Sequence, residues 1–298
     1  MTRLSSFTAL PGAIVKTLAF FRHNAREAAL VAILPGLAAI ALTYKTGAVT
    51  SDEVAANWPV YVLALLAWYG ATSLSQAAMF RLSLRGKTGG FLGYQLGSDE
   101  WRLAASWALV FFLVIVAGGI GLVVVSFTIG AVSMVSMSDA GLTPEDPVAT
   151  GNIPDLFAYY GPAEWAVTGL LIAVFVLMLG GFAGRLLLAP AASMARRKVQ
   201  ALSVMAMTKK RGFAVALGVL VCFIPAGLLV HGFGVVSERL FDLPVHQPAR
   251  LFTEAGFSPS WAVYAPLAFA HGWLAAFLTS PLFAGLTTAL YRAWGGDE

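Results

Sequence analysis

The chain has 298 residues, of which 58% are apolar and only 11% are charged, and its mean hydropathy is +0.78. A water-exposed surface needs far more charge than this, so the composition excludes a soluble globular protein and predicts an integral membrane protein. The net charge of +4 is small; membrane orientation accounts for it, and it gives no reason to expect a nucleic-acid partner.

The first predicted element is a basic amphipathic segment over about 5–24. Its apolar residues recur at helical spacing, and Pro11 suits the first turn of a helix. The first 24 residues contain Arg3, Lys16 and Arg22 and lack a small-residue cleavage site, so they are not expected to be a removed signal peptide. The pattern predicts a helix that lies on the cytoplasmic membrane surface.

Six apolar stretches are long enough to cross the hydrocarbon core of a bilayer, which takes about 20 helical residues. They cover about 27–44, 59–80, 103–126, 165–184, 213–235 and 262–291. The third continues apolar to Met137 and contains Gly118, Gly119 and Gly121, which predicts a tilted or broken helix. The expected fold is all-α: one membrane domain over 1–298, a polytopic bundle of six transmembrane helices.

The distribution of charge between the loops predicts the orientation. The N-terminus, the loops after spans two and four, and the C-terminus contain sixteen of the 19 Lys and Arg residues and five of the 15 acidic ones. The opposite loops contain only Lys45, Arg239 and Arg250 beside ten acidic residues. Because basic side chains stay in the cytoplasm, both termini are expected to be cytoplasmic.

Two further cytoplasmic segments mix apolar and basic residues, a Gly-rich one over about 86–102 and one over about 193–211. Both are predicted to lie at the interface, as is the segment before span one. The three suggest a threefold helix-pair repeat of basic segment, outgoing span, loop and returning span. Each returning span ends at an arginine, which is Arg81, Arg185 or Arg292.

The candidate binding residues are basic side chains on the cytoplasmic side. Arg81 and Arg185 follow the outer ends of their spans by about 20 residues, a rise of roughly 30 Å that places both at the inner interface. We expect them to extend toward lipid phosphate; the alternative is a substrate site inside the bundle. The residues predicted to contact anionic lipid head groups are Arg81, Arg185, Arg196, Arg197, Lys198, Lys209, Lys210 and Arg211.

Two histidines, His231 and His271, fall in the outer half of spans five and six. Together with His246, Glu238 and Asp242 they offer ligands for zinc or copper, or a proton relay. The spacing does not match a metal-ligand motif, so hydrogen-bonded histidines within the bundle are the expectation. No metal, cofactor or catalytic residue is predicted, and the single cysteine, Cys222, excludes an intrachain disulfide.

Small residues and prolines within the spans offer two further readings. Gly180 and Gly184 form a Gly-x-x-x-Gly pair that favours close helix contact, within the chain, with a membrane-protein partner or in a homo-oligomer. Four prolines lie within three of the predicted spans, and broken helices line the sites of many transporters. Apart from Glu27 at the first residue of span one, no acidic residue falls inside a predicted span, which argues against a carrier driven by protons or sodium. The prolines concerned are Pro35, Pro225, Pro266 and Pro281.

Two runs, Arg185-Leu-Leu-Leu-Ala-Pro-Ala-Ala and Ala201-Leu-Ser-Val-Met-Ala-Met-Thr-Lys-Lys-Arg-Gly-Phe213, resemble a pattern in six-span bacterial membrane proteins. That pattern is similar to YciC-like proteins and to the membrane domain attached to some glycerophosphoryl diester phosphodiesterases. The motif covers about 185–213 and the architecture about 1–235. The resemblance implies a bacterial inner-membrane protein without the phosphodiesterase activity, which belongs to a separate soluble domain.

These patterns favour a non-enzymatic inner-membrane protein that organises or assists envelope or lipid processes through its basic faces. One alternative is a small-solute or lipid transporter. A second is a membrane-embedded enzyme or metal protein that uses His231 and His271. The absence of carboxylates from the interior of the predicted spans favours the first reading over the transporter.

Overall fold

The computed structural model describes residues 7–46, 51–142, 157–243, 245 and 260–294. The described residues form ten α-helices and a short 3₁₀ turn, Phe157–Tyr159, and they contain no β-strand. In chain order the helices are α1 (Ala9–His23), α2 (Ala25–Val31), α3 (Ile33–Thr46), α4 (Ser51–Arg85), α5 (Ser98–Asp139), α6 (Pro162–Leu186), α7 (Ala189–Arg196), α8 (Ser203–Met207), α9 (Gly212–Phe241) and α10 (Trp261–Ala293).

Six helical stretches are long and apolar enough to cross a membrane, and each overlaps one of the predicted spans. They are Ala25–Leu42, Trp58–Arg85, Ser98–Asp139, Pro162–Arg196, Gly212–Phe241 and Trp261–Ala293. The all-α polytopic bundle predicted from hydropathy is therefore confirmed. The segments that precede spans one, three and five have three different structures and do not support the threefold repeat. The repeat therefore stays a prediction.

The last span is the centre of the bundle. Helix α10 packs against α1, α3, α4 and α9, and 61% of the residues in its apolar stretch are buried. Helices α5 and α6 pair at the periphery, where the apolar stretch of α6 is only 11% buried. The largest apolar core lies at the end of the bundle where α4 and α10 end and α9 begins. We call this the basic end, because most of the arginines and lysines of the described chain are there.

The break offered as one alternative for the third span is absent, and three of the prolines do not interrupt their helices. Helix α5 runs unbroken for 42 residues through its glycines, a length of about 63 Å at 1.5 Å per residue. Pro225, Pro266 and Pro281 likewise lie inside continuous helices. The break occurs in the first span instead, at Ala32 between α2 and α3. It lies three residues before Pro35, which has no backbone N–H to continue the helical ladder.

The segments predicted to lie at the interface are more buried than expected. Helix α1 forms as predicted, but Leu10 and Thr17 are buried, and it packs against α10. Residues 86–97 are a loop rather than a helix. Helix α7 is buried from Ala189 to Met194 because its small residues let it pack closely against α5, α4 and α10. Of the third segment, only the stretch after Met194 remains largely accessible.

Candidate functional site

The basic end contains a cavity of about 460 Å³, and it brings together four of the eight predicted binding residues. Arg196, Lys209, Lys210 and Arg211 line it together with Tyr291 and Trp294 from the end of α10. Among the described residues that line this cavity none is acidic. We call it the basic cavity. Of the remaining predicted residues, Arg197 and Lys198 lie in a neighbouring exposed turn, Arg81 is buried and Arg185 is half-buried.

The basic cavity forms because the chain reverses twice. Helix α7 ends at Arg196, and Arg197 adopts a left-handed conformation with φ of 53°. After the short helix α8, Lys210 adopts a second left-handed conformation with φ of 64°, and α9 begins at Gly212. The two turns therefore bring the basic residues before and after α8 close together. Arg197 and Lys198 are exposed in the first turn and are not among the residues that line the cavity.

The wall of the cavity combines cations with aromatic groups. Arg196 Nε donates a hydrogen bond to the Tyr291 hydroxyl at 3.1 Å. The Arg211 guanidinium lies over the Trp294 ring, 4.9 Å from its centroid, a cation–π arrangement. The indole Nε1 of Trp294 is buried and has no hydrogen-bond partner in the described chain. The cavity thus offers positive charge and an unsatisfied donor.

Arg185 was expected to extend toward lipid phosphate, but its hydrogen bonds lie within the protein and support the wall of the cavity. Its Nη2 donates to the Met205 carbonyl of α8 at 2.7 Å, and its own carbonyl accepts from the Thr208 hydroxyl at 3.1 Å. These bonds join the end of α6 to α8 and to the turn that follows it. Arg185 is therefore a positioning residue for the turn that contains Lys209 and Lys210.

Arg81 was predicted to reach lipid phosphate, and its surroundings contradict this. The residue is only 4% exposed, and it forms an ion pair with Glu100 at the start of α5. It also donates to the carbonyl groups of Thr88 and Gly93. A buried charge needs such partners, so Arg81 holds the 86–97 loop against α4. The Glu100 Oε2 is buried with no hydrogen-bond partner in the described chain.

A second charged group lies next to this pair. Asp99 accepts from Arg85 at 2.6 Å and from Arg102 at 3.0 Å. Arg85 also donates to the Met194 carbonyl at 3.1 Å, which ties α4 to α7. Our sequence analysis missed both carboxylates, because it counted acids by loop and did not pair them with specific arginines. The signal available was the pair Asp99-Glu100 directly before an apolar span.

The 86–97 loop also closes the break in the first span. Pro35 has no N–H to donate to the Val31 carbonyl, and the Tyr94 hydroxyl donates to that carbonyl at 2.9 Å. The same hydroxyl accepts from the Leu34 N–H at 2.8 Å. Burial raises the pKa of the Tyr94 phenol above its ordinary value of 10.0, and the hydrogen bond from Leu34 partly offsets this. Tyr94 therefore stays protonated and able to donate at neutral pH.

The two histidines do not form a recognisable metal site. His231 is exposed, whereas His271 is half-buried and stacks on Phe233 with ring centroids 6.4 Å apart. Within the described part of the chain, no group of three or more His, Cys, Asp or Glu side chains is close enough to hold a metal ion. His246, the third histidine considered, lies outside the described residues.

The predicted glycine pair is divided between two environments. A Cβ on Gly184 would lie 2.1 Å from the Gly212 carbonyl oxygen, so α6 and α9 meet here backbone to backbone. A Cβ on Gly180 would meet nothing within 4 Å. Gly184 thus serves packing within the chain, and the pair does not present one continuous surface to a second copy.

An apolar cavity of about 390 Å³ lies between α5 and α6, and none of the described residues that line it is charged. It forms where Phe175 packs over Gly121, at which a Cβ would lie 2.2 Å from the ring. Its other walls are aliphatic and aromatic side chains, including Val124, Met178 and Phe182. Such a surface suits lipid acyl chains and offers no group for catalysis.

No protein-family model matches the chain, and neither a curated protein nor a solved structure does.

Proposed function

We propose that this chain is a non-enzymatic bacterial inner-membrane protein that organises or assists lipid or envelope processes by holding anionic lipid head groups at its basic end. The observation that carries the proposal is the basic cavity, where Arg196, Lys209, Lys210 and Arg211 line one space and none of the described lining residues is acidic. Anionic head groups are the abundant ligands that such a surface meets at a membrane.

The proposal places both termini and the basic end in the cytoplasm. The excess of Lys and Arg in the corresponding segments supports this orientation. The resemblance of 185–213 to YciC-like proteins agrees with an inner-membrane location. A test starts from Cys222→Ala and adds single cysteines at Ser138 or Ser203, with labelling of intact cells by a membrane-impermeant maleimide. Ser138→Cys should label and Ser203→Cys should not; the reverse pattern would overturn the orientation.

The lipids that co-purify with the protein test the function directly. We expect anionic lipids to be enriched over their share of the source membrane, as measured by mass spectrometry of lipids retained after detergent exchange. A variant with all six residues of the two basic triplets changed to Gln should lose that enrichment. The six are Arg196, Arg197, Lys198, Lys209, Lys210 and Arg211. Equal anionic content in both preparations would contradict the proposal.

The transporter alternative depended on helices broken at prolines. The described helices continue through Pro225, Pro266 and Pro281, and the one break, near Pro35, is closed by Tyr94. The enzyme alternative depended on His231 and His271 sharing a site with further ligands, and the described residues offer no such group. Neither alternative has an observation that favours it over the head-group proposal.

A further inference from the structure

We infer that the basic cavity is a specific binding site for a phosphate group with two or more negative charges, a phosphomonoester or a diphosphate. This inference rests on the proposed function, since it names the ligand of the same cavity. It goes further, because it assigns binding to the basic cavity and not to the general positive charge of the basic end.

The charges that line the cavity carry the first step. Arg196, Lys209 and Lys210 place three cations around one space of about 460 Å³, and Arg211 lies beside them over the Trp294 ring. Like charges held close together repel each other, and a ligand with one negative charge offsets only part of that repulsion. An anion with two or more charges offsets more of it. Arg presents several N–H donors in a plane and Lys a compact point charge, and both are common phosphate ligands.

A neutral donor in the wall of the cavity carries the second step. Trp294 lines the cavity, and its buried indole N–H has no hydrogen-bond partner in the described chain. A buried donor without a partner is costly, and a ligand oxygen that reaches it would satisfy it.

The size of the cavity carries the third step. Pockets for small molecules and cofactors have volumes of about 300–1,000 Å³. At about 460 Å³ the basic cavity lies within that range, so it has room for the phosphate and for the group that bears it. The aromatic ring of Trp294 and the Tyr291 hydroxyl border the same space and suit the carbon and oxygen atoms of such a group.

The test measures dissociation constants for the full chain in nanodiscs of neutral lipid. The lipid probes are phosphatidic acid, which has a phosphomonoester, and phosphatidylglycerol, whose phosphodiester has one charge. The soluble probes are glycerol 3-phosphate and inorganic pyrophosphate. We expect phosphatidic acid to bind at least about tenfold more tightly than phosphatidylglycerol, the ratio that one additional charged hydrogen bond provides. Equal affinity for the two lipids would overturn the inference.

Matched variants locate the site. Changing Lys209 and Lys210 together to Gln should weaken phosphatidic acid binding at least about tenfold. Changing Arg197 and Lys198 to Gln removes the same number of charges from the neighbouring exposed turn, outside the cavity. This control should change the affinity less than about threefold, as expected for screened surface charges. Trp294→Phe should also weaken binding, because it removes the indole N–H and keeps an aromatic ring.

The outcomes separate this inference from the proposed function. If the two double variants weaken binding equally, general surface charge explains the affinity; the inference is wrong and the proposed function stands. If no anionic lipid is preferred over neutral lipid, both fail. Soluble phosphates that bind as tightly as phosphatidic acid would support the site and identify a soluble ligand. Tight binding of phosphatidic acid with weak binding of glycerol 3-phosphate would support the site and identify a lipid ligand.

Discussion

Replacing Tyr94 by Phe tests how the loop after α4 stabilises the first span. The change removes only the hydroxyl, which bonds to the Val31 carbonyl at 2.9 Å and to the Leu34 N–H at 2.8 Å. Leaving a buried donor or acceptor without a partner costs about 1–3 kcal/mol. Since water has some access to the half-buried Tyr94, we expect a loss of about 2 kcal/mol in the free energy of unfolding.

The mechanism predicts that this loss depends on Pro35. In a Pro35→Ala variant the new backbone N–H is able to bond to the Val31 carbonyl, as in an unbroken helix. Tyr94→Phe should then cost about 1 kcal/mol less than it does in the native sequence, the value of one hydrogen bond. The assay is reversible unfolding in mixed detergent micelles, applied to all four members of the double-mutant cycle.

A matched control comes from a second tyrosine. The Tyr69 hydroxyl donates to the Ala104 carbonyl of α5, and nothing in its contacts links it to Pro35. Tyr69→Phe should therefore cost the same free energy with proline or alanine at position 35. If Tyr94→Phe is also independent of position 35, or costs less than about 0.5 kcal/mol, the explanation of the break is wrong.

Three further predictions concern stability. Glu100→Gln leaves the Arg81 guanidinium buried without its counter-ion, so thermal unfolding in detergent should show a loss of about 3–5 kcal/mol in the free energy of unfolding. The double variant Arg81→Met with Glu100→Leu removes both charges and should lose less. Gly184→Ala forces a Cβ against a carbonyl oxygen and should cost about 1–3 kcal/mol, whereas Gly180→Ala, with open space around it, should be neutral in the same measurement. The pKa of Tyr94 is raised above 10.0, so the folded state holds the phenol proton more tightly than the unfolded state does. The stability that Tyr94 provides should therefore fall as the pH rises above 10.0, the ordinary pKa of the phenol. A pH series should show that the difference in the free energy of unfolding between the native protein and Tyr94→Phe is unchanged up to about pH 10 and smaller beyond it. A difference that grows with pH would contradict the assignment.

The number and position of the spans were predictable because they depend on length and hydropathy alone. A run of about 20 apolar residues has few alternatives to a membrane helix, whatever it later packs against. Four of the eight basic candidates were also found around one cavity, since Arg196 and the Lys209–Arg211 triplet flank a short segment that folds back on itself.

The pairing of side chains was not predictable in this way. Arg81 and Glu100 are brought together by a loop conformation that depends on several glycines with positive φ, among them Gly89, Gly90 and Gly93. The burial of α7 depends on its neighbours α5 and α10, which hydropathy along the chain does not reveal. Both features follow from tertiary packing, which overrides local pattern.

The central position of α10 has a consequence for biosynthesis. Its contacts with α1, α3, α4 and α9 join segments that are synthesised up to some 250 residues earlier, and ribosomes add about 5–20 residues per second. The first span therefore resides in the membrane for about 10–50 s before α10 arrives, whereas α9, which ends at Phe241, waits only a few seconds. During that interval the surfaces that α10 later covers face lipid, a neighbouring span or an insertion factor. A ribosome stalled before Trp261 would leave a chain whose spans have been inserted but whose bundle has not assembled.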